Sequence, residues 1–530
     1  MRALHSLALL LLAALVASLL MLSAALAHAG LVAADPVDGS VLPAAPSTLT
    51  LTFTEPVSPL LFTLVSSDGE RRDLTGARSE NLNILLPLPP ELPRGTHLVS
   101  WRVTSADGHP IAGALAFSIG EVGTRPTLIA GTDPLLAGSI WLARAMLYAL
   151  LFLGVGTTLF GRLVAPLPPT LDRLSQLFCA AGLLLAPLTL GLQGLDALDS
   201  GFARLFSAAP WAAALSTSYA ATVAAALVAF LASLLSRLSP EGRSGIMLAL
   251  LATIAAALAP MLSGHAGTAP PTWLSKPAVF VHIAGLLFWV GALLPLGWLL
   301  QAGDAPALVA LQRFSRLIPL AIVPVILSGL VLALLQLGPP GPAWQSTYVA
   351  LLLTKLALLL PLFGLAVWNR AALTRPTLAG IDTARRRLRR SIGIELLLVL
   401  LVFAVVAGWR FTPPPRVIAE LAAQPARTHV HTAAAMADIT VTPGRAGAST
   451  LSVWLSDAEF GPLEPKSLRV ALFNAGLGVE RLTRPATLDA DGFWRVPLTL
   501  PAGGAWSIEL DLRIDDFTLL KLSGEIELAP

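Results

Sequence analysis

Three kinds of hydrophobic pattern follow one another along this chain. From about Gly30 to Glu121 apolar positions recur at every second residue, Leu49, Leu51 and Phe53 alternating with Thr48, Thr50, Thr52 and Thr54. A period of two is the signature of a half-buried strand, and threonine suits the pleated surface. Similar runs at Leu61 to Ser66, Leu82 to Leu86, Thr96 to Val103 and Ala114 to Ile119, with Pro, Gly and Asp between them, predict a small immunoglobulin-like β-sandwich. Between Leu136 and Phe411 the alternation gives way to eight unbroken apolar stretches, near 138–160, 174–194, 211–236, 245–264, 277–300, 314–337, 347–369 and 391–411. Each has the roughly 20 residues a helix needs to cross a bilayer. After Pro413, Pro414 and Pro415 and an alanine-rich stretch, alternation returns from Thr428 to Pro530, for example in Ser449 to Leu455, Leu468 to Phe473 and Trp506 to Ile514. The expectation is a multidomain chain: an N-terminal sandwich over 28–121, an eight-helix transmembrane bundle over 136–411, and a C-terminal sandwich over 428–530. Ahead of these, Arg2, the apolar run Leu7 to Leu26 and the small residues Ala25 and Ala27 read as a secretory signal over 1–27. The run is long for a signal, so retention as an anchor is the other reading.

Composition agrees. The chain of 530 residues is 55% hydrophobic and 13% charged, against about 25% charged in a typical soluble domain, which excludes an ordinary soluble enzyme. The net charge of +3 is small, but its placement is informative. Arg162, Arg173, Arg237, Arg243, Arg313, Arg316, Arg370, Arg375, Arg385, Arg386, Arg387, Arg389 and Arg390 follow spans one, three, five and seven, whereas only Arg204 and Lys276 follow spans two, four and six. The positive-inside rule makes the first set of loops cytoplasmic and both sandwiches extracytoplasmic. Clustered this way, the basic residues mark membrane topology, and no nucleic-acid partner is expected. Cys179 is the single cysteine, so a metal site here would use His, Met, Asp or Glu.

Eight histidines serve the whole chain. Asp107 and His109 stand two apart, and in an extended segment both face the same side. Cleavage after Ala27 would make His28 the N-terminal residue, offering its α-amine and ring Nδ1 as a chelate; cleavage after Ala29 would discard it. With Asp107 and His109 the set is three nitrogens and one oxygen, which suits tetragonal Cu(II). Glu55, at the end of the Leu49, Leu51, Phe53 stripe, is either a further ligand or acceptor there or a solvated charge. His97 shares a strand face with Val99, Trp101 and Val103 and reads as a core residue.

The stretches His28-Ala-Gly-Leu, Asp35-Pro-Val-Asp-Gly-Ser, Leu51-Thr-Phe-Thr-Glu55-Pro-Val and Trp101-Arg-Val-Thr-Ser-Ala-Asp-Gly-His-Pro-Ile-Ala-Gly113, closing with Phe117, resemble the CopC family of periplasmic copper-binding proteins. The resemblance covers nearly the whole first domain and implies a Cu(II) site from His28, Asp107 and His109 with Glu55 nearby. A Met-rich stretch is absent, so the separate Cu(I) site of some family members is not expected.

In the membrane region the histidines are His265 and His282, both read as lying in the outer half of the bilayer at one depth, as the entry of a copper path between spans four and five. An intramembrane histidine is by default functional. Met261 precedes His265 by four residues, one turn on the same face if the helix continues, and would add a thioether suited to Cu(I). Arg144, Lys355 and Glu395 are assigned to pairing or snorkelling. Arg144, Ser263-Gly-His265, Val281-His282, Trp289-Val-Gly291, Lys355, Asn369-Arg370 and the closing prolines are together similar to the CopD family. That similarity implies a copper-handling membrane domain, moving Cu(I) or Cu(II), and an importer. In the third domain His429-Val-His431 opens a strand and Met436 follows; His431 to Asp438, Pro443 to Gly447, Trp506 and Asp516-Phe517 resemble YtkA-like sandwiches. The pair His429 and His431, with Met436, is a weaker metal candidate.

The leading expectation is a copper-binding protein of the cytoplasmic membrane that captures Cu(II) outside and transports copper inward, in contact with copper ions, lipid, and a periplasmic copper donor or an acceptor cuproenzyme. No enzymatic activity and no catalytic residue are expected, and no G-x-x-x-x-G-K-[ST] motif supports ATP-driven pumping. Two alternatives stand beside it: a non-transporting scaffold that passes copper to a cuproenzyme, and a copper reductase with His265 and His282 as axial haem ligands.

Overall fold

The structure, a computed structural model, describes residues 31–53, 55–105, 110–120, 133–239, 242–422, 424–432, 434–457, 461–474 and 478–528. The expected signal, His28, Asp107 and His109 lie outside the described residues. In the N-terminal region strands β1 (Leu31–Asp35), β3 (Thr48–Phe53), β6 (Arg78–Glu80) and β7 (Asn83–Pro87) form one sheet in the order β1-β3-β7-β6. A second sheet is ordered β2-β9-β8-β4-β5, from β2 (Val41–Leu42), β4 (Ser58–Val65), β5 (Arg71–Asp73), β8 (Gly95–Thr104) and β9 (Pro110–Ile119). The threonine alternation of β3 sends Leu49, Leu51 and Phe53 inward, fully buried, against Val99, Trp101 and Val103 of β8 and Leu115 and Phe117 of β9. Phe53 meets Trp101 edge-on at 5.3 Å, a favoured aromatic geometry. His97 is fully buried, stacked on Phe117 at 5.5 Å, with its Nε2 2.8 Å from the Pro93 carbonyl. It is a core residue, as its strand face predicts.

Among the described residues eight helices are long and apolar enough to cross a membrane: Pro134–Leu163, Pro169–Ala197, Tyr219–Leu238, Arg243–Leu262, Thr272–Ala302, Ala305–Leu337, Thr347–Leu378 and Asp382–Glu420. They fit a multi-pass membrane protein. Several outrun the apolar stretches that predict them, because hydropathy marks the lipid-covered length while helix continues through alanine, leucine and arginine beyond it. Span seven thus runs past Trp368 through a π-helical turn, Asn369–Leu373, carrying Arg370 and Arg375. The third stretch differs in kind. Its first part is a separate helix, Ala208–Leu215, and the span starts only at Tyr219, after Ser216, Thr217 and Ser218, whose hydroxyls compete for backbone partners.

Spans three and four pack through alanines, Ala226, Ala229 and Ala232 with Ala252, Ala255, Ala256 and Ala257, small residues that let helices approach in lipid. Spans one and five come closer still. Gly156 and Gly291 lie backbone to backbone, so that a Cβ on either would overlap the other chain, and Thr157 Oγ1 donates to the Gly291 carbonyl at 3.3 Å. Gly291→Leu is therefore expected to lower the thermal midpoint of the detergent-purified protein sharply, overpacking costing about 1–3 kcal/mol or more. Gly138→Leu, at a position with nothing within 4 Å, should leave it unchanged. Scanning fluorimetry of the two variants checks this, and equal midpoints would remove the crossing from the account.

The intramembrane charges are paired. Arg144 donates to Gln193 Oε1 at 3.1 Å and lies over the Tyr219 ring at 4.6 Å, while Arg410 contacts Asp196 at 2.5 Å. Lys355 lies 5.1 Å from the centre of the Trp409 ring, and Asn369 donates to Glu395 at 2.5 Å. These contacts link spans one, two, three and eight, and spans seven and eight. The pairing roles read for Arg144, Lys355 and Glu395 follow.

The C-terminal region is a pair of antiparallel sheets. One is ordered β10-β11-β12-β16-β15, from β10 (Ala426–His431), β11 (Ala435–Thr442), β12 (Gly447–Asp457), β15 (Thr487–Leu488) and β16 (Trp494–Leu500). The other is ordered β14-β13-β17-β18, from β13 (Ser467–Asn474), β14 (Val479–Pro485), β17 (Gly504–Arg513) and β18 (Leu519–Leu528). Their inward faces close one core around Trp506, which is fully buried and donates its indole N–H to the Ala502 carbonyl at 3.1 Å.

Candidate metal centres

In the N-terminal sandwich Leu31 pairs with Phe53, so the start of β1 and the end of β3 share one end of their sheet. Glu55 follows β3 there and is 5% exposed; it is a buried carboxylate, not the solvated strand-end charge that was the alternative. The ligands proposed with it, His28, Asp107 and His109, lie outside the described residues.

In the helical region span six arranges the site. Between Leu317 and Leu337 its only side chains able to hydrogen-bond are Ser328 and Gln336, and from Val325 onward its buried residues are Val325, Ser328 and Gln336. All three serve the two histidines. His282 places Nδ1 3.0 Å from the Val325 carbonyl and 3.2 Å from Ser328 Oγ. Ser328 spends its own proton on the Pro324 carbonyl at 2.6 Å. A carbonyl only accepts, so the imidazole proton sits on Nδ1 and the lone pair on Nε2, the tautomer that a metal-binding histidine needs. Gly329 makes room for the ring; a Cβ there would lie 3.1 Å from His282 Cε1.

His265 is held elsewhere on the same helix. Gln336 Nε2 donates to the His265 carbonyl at 2.6 Å. Eight to eleven residues of span six separate Gln336 from Ser328 and Val325, roughly 12–16 Å at 1.5 Å per residue. Span five, moreover, begins at Thr272, which puts His282 ten residues inside it. The His265 backbone and the His282 ring are therefore held by different turns of span six, an arrangement that does not by itself support one shared depth between spans four and five. The physical reason is the connection: the chain spends Gly264 to Pro271 outside both long helices, so proximity in sequence does not set depth.

The same segment separates Met261 from His265. Helix Arg243–Leu262 stops at Ser263, which is extended, and Gly264 takes a positive φ of 87° before a short helix His265–Thr268 begins. Only glycine adopts that conformation cheaply, and with the helix broken the four-residue spacing no longer implies a common face. Span three braces the break, Thr222 Oγ1 donating to the Ala259 carbonyl at 2.8 Å and meeting Ser263 Oγ at 2.6 Å.

His429 and His431 end strand β10 instead of opening a strand. Antiparallel pairing sets His429 opposite Asp438 and His431 opposite Met436, so the four side chains share one face of the β10–β11 pair. Val430, Ala435 and Ala437 point the other way into the core. His429 Nδ1 is 2.8 Å from Asp438 Oδ1 and the two imidazoles stack at 5.9 Å. Burial and the neighbouring His429 hold His431 below the usual histidine range. Among the described residues no three His, Cys, Asp or Glu side chains are grouped as they would be around an ion. Ser328, Gln336 and Asp438 were missed in the sequence; the first two were detectable as isolated polar positions in an apolar run.

A CopC domain model matches residues 31–120 and a Copper resistance protein D (CopD) model matches residues 308–409. The chain is 25% identical over 400 residues to the copper transport protein CutJ of Bacillus subtilis (strain 168), spanning 71% of this chain and 74% of that protein. It is 34% identical over 115 residues to copper resistance protein C of Xanthomonas campestris pv. juglandis, spanning 20% of this chain and 90% of the relative. Among solved structures, CopC from Methylosinus trichosporium OB3b is similar at 27% identity over 19% of this chain and 100% of that one, with a TM-score of 0.16. The chain belongs to the copper transport and resistance family of CopC and CopD, with a CopC domain and a CopD domain carried in one polypeptide.

Proposed function

We propose that this protein captures Cu(II) outside the cytoplasmic membrane through His28, Asp107 and His109, with Glu55 beside them, and carries copper inward across the membrane past His265 and His282. It acts as a carrier and not as an enzyme. The observation that carries the reading is His282: an imidazole inside a bundle of apolar helices whose Nδ1 proton is committed to the Val325 carbonyl, so that its Nε2 lone pair is left for a ligand. The haem-reductase alternative would need both histidine rings on one iron, and a Soret band in the purified protein would favour it over the carrier. Isotopically labelled copper, added outside proteoliposomes of the full-length protein, is expected to accumulate in the lumen. External binding without accumulation would instead favour the scaffold that hands copper to a cuproenzyme.

Import in this sense requires both sandwiches to face outward. A reporter fused after Arg390 is expected to behave as cytoplasmic, following the thirteen-to-two arginine bias across alternating loops. Activity of an export-dependent reporter at that position would invert the topology and the direction with it.

A further inference from the structure

The geometry points to a second copper site, for Cu(I), on the outer face of the C-terminal sandwich, with His429 Nε2, the His431 imidazole and the Met436 thioether as ligands and Asp438 as the carboxylate that orients His429. Three observations carry it. Strand register puts all four side chains on one face, His429 across from Asp438 and His431 across from Met436. The hydrogen bond from His429 Nδ1 to Asp438 Oδ1, 2.8 Å, leaves the lone pair on Nε2, and a carboxylate behind a histidine is the usual support of a metal-bound imidazole. That Nε2 is buried and without a hydrogen-bond partner, and a buried acceptor left unpaired is costly; a Lewis acid would satisfy it.

Met436 supplies what two imidazoles lack. It is 5% exposed, yet it sits on the face opposite the core residues Ala435 and Ala437, so core packing does not account for it. Thioether sulfur selects Cu(I) over harder cations. The imidazoles stack at 5.9 Å with planes 27° apart, on the strand face that also carries Met436.

The choice of copper rests on the family to which the chain belongs; the position of the site does not rest on transport. The test is anaerobic Cu(I) titration of the full-length protein against bicinchoninate, with X-ray absorption at the copper edge. His429→Ala and His431→Ala should each remove one Cu(I) equivalent, whereas His109→Ala should leave that equivalent in place. Met436→Leu should erase the copper–sulfur scattering, and Asp438→Asn should weaken affinity by about 10–100-fold. Should His429→Ala disturb the sandwich, as far-ultraviolet circular dichroism would show, the half-buried His431 carries the same test. Unchanged stoichiometry in His431→Ala, or unchanged sulfur scattering in Met436→Leu, would overturn the site. Absence of uptake in proteoliposomes would sink the transport reading and leave this titration untouched.

Discussion

His282→Ala is expected to reduce copper accumulation in proteoliposomes to the level of protein-free vesicles, a loss of well over tenfold. The tautomer of this ring is fixed by protein groups, the Val325 carbonyl and Ser328 hydroxyl. Loss of a group that only orients a ligand typically costs 10–100-fold, and loss of the ligand itself costs more. Ser328→Ala should therefore lower uptake less than His282→Ala, because Val325 still holds Nδ1. His265→Ala tests the second histidine of the path, whose backbone is held by Gln336 and not by Ser328. Uptake by a folded His282→Ala protein at the parent rate would reduce the ring to helix packing.

The second large effect is expected in the N-terminal domain. His109→Ala should weaken Cu(II) binding on the order of 100-fold, because it removes one of few strong nitrogen donors from a tetragonal site. Electron paramagnetic resonance of the loaded protein should show one fewer nitrogen coupled to copper. Glu55→Gln should change affinity less, since Glu55 is a buried carboxylate proposed to support the site through charge and hydrogen bonding and not as a nitrogen donor. N-terminal sequencing that begins at His28 is part of the same expectation. A mature chain starting at Gly30 would remove the chelate, and unaltered Cu(II) affinity in His109→Ala would remove the ligand set.

Much of the architecture was legible because it is written in periodicity. The threonine alternation of residues 48–53 and the unbroken apolar runs each have one low-energy solution, a strand against a core or a helix in lipid. Short strands such as Val41–Leu42 and Arg71–Asp73 escaped because two or three residues hold no period. The candidate site residues could be named from the sequence as residue types, but their relations could not. Whether His265 and His282 share a depth depends on where helices begin and on Gly264, whose positive φ ends the continuity with Met261. Strand register, which a single-residue slip would reverse, decides that Met436 and Asp438 stand across from His431 and His429. Such facts belong to tertiary geometry.

Span six buries few of its side chains, and Val325, the residue whose carbonyl fixes His282, is among them. Most of its remaining surface, including Leu320, Val323, Leu327, Leu330 and Leu334, is left to acyl chains. Packed mainly on span five and facing lipid elsewhere, such a helix accommodates a mismatch with the surrounding hydrocarbon in part by tilting. Shortening the lipid tails therefore moves the carbonyl that orients the imidazole, and hydrophobic matching becomes a determinant of how the metal-binding nitrogen is aimed.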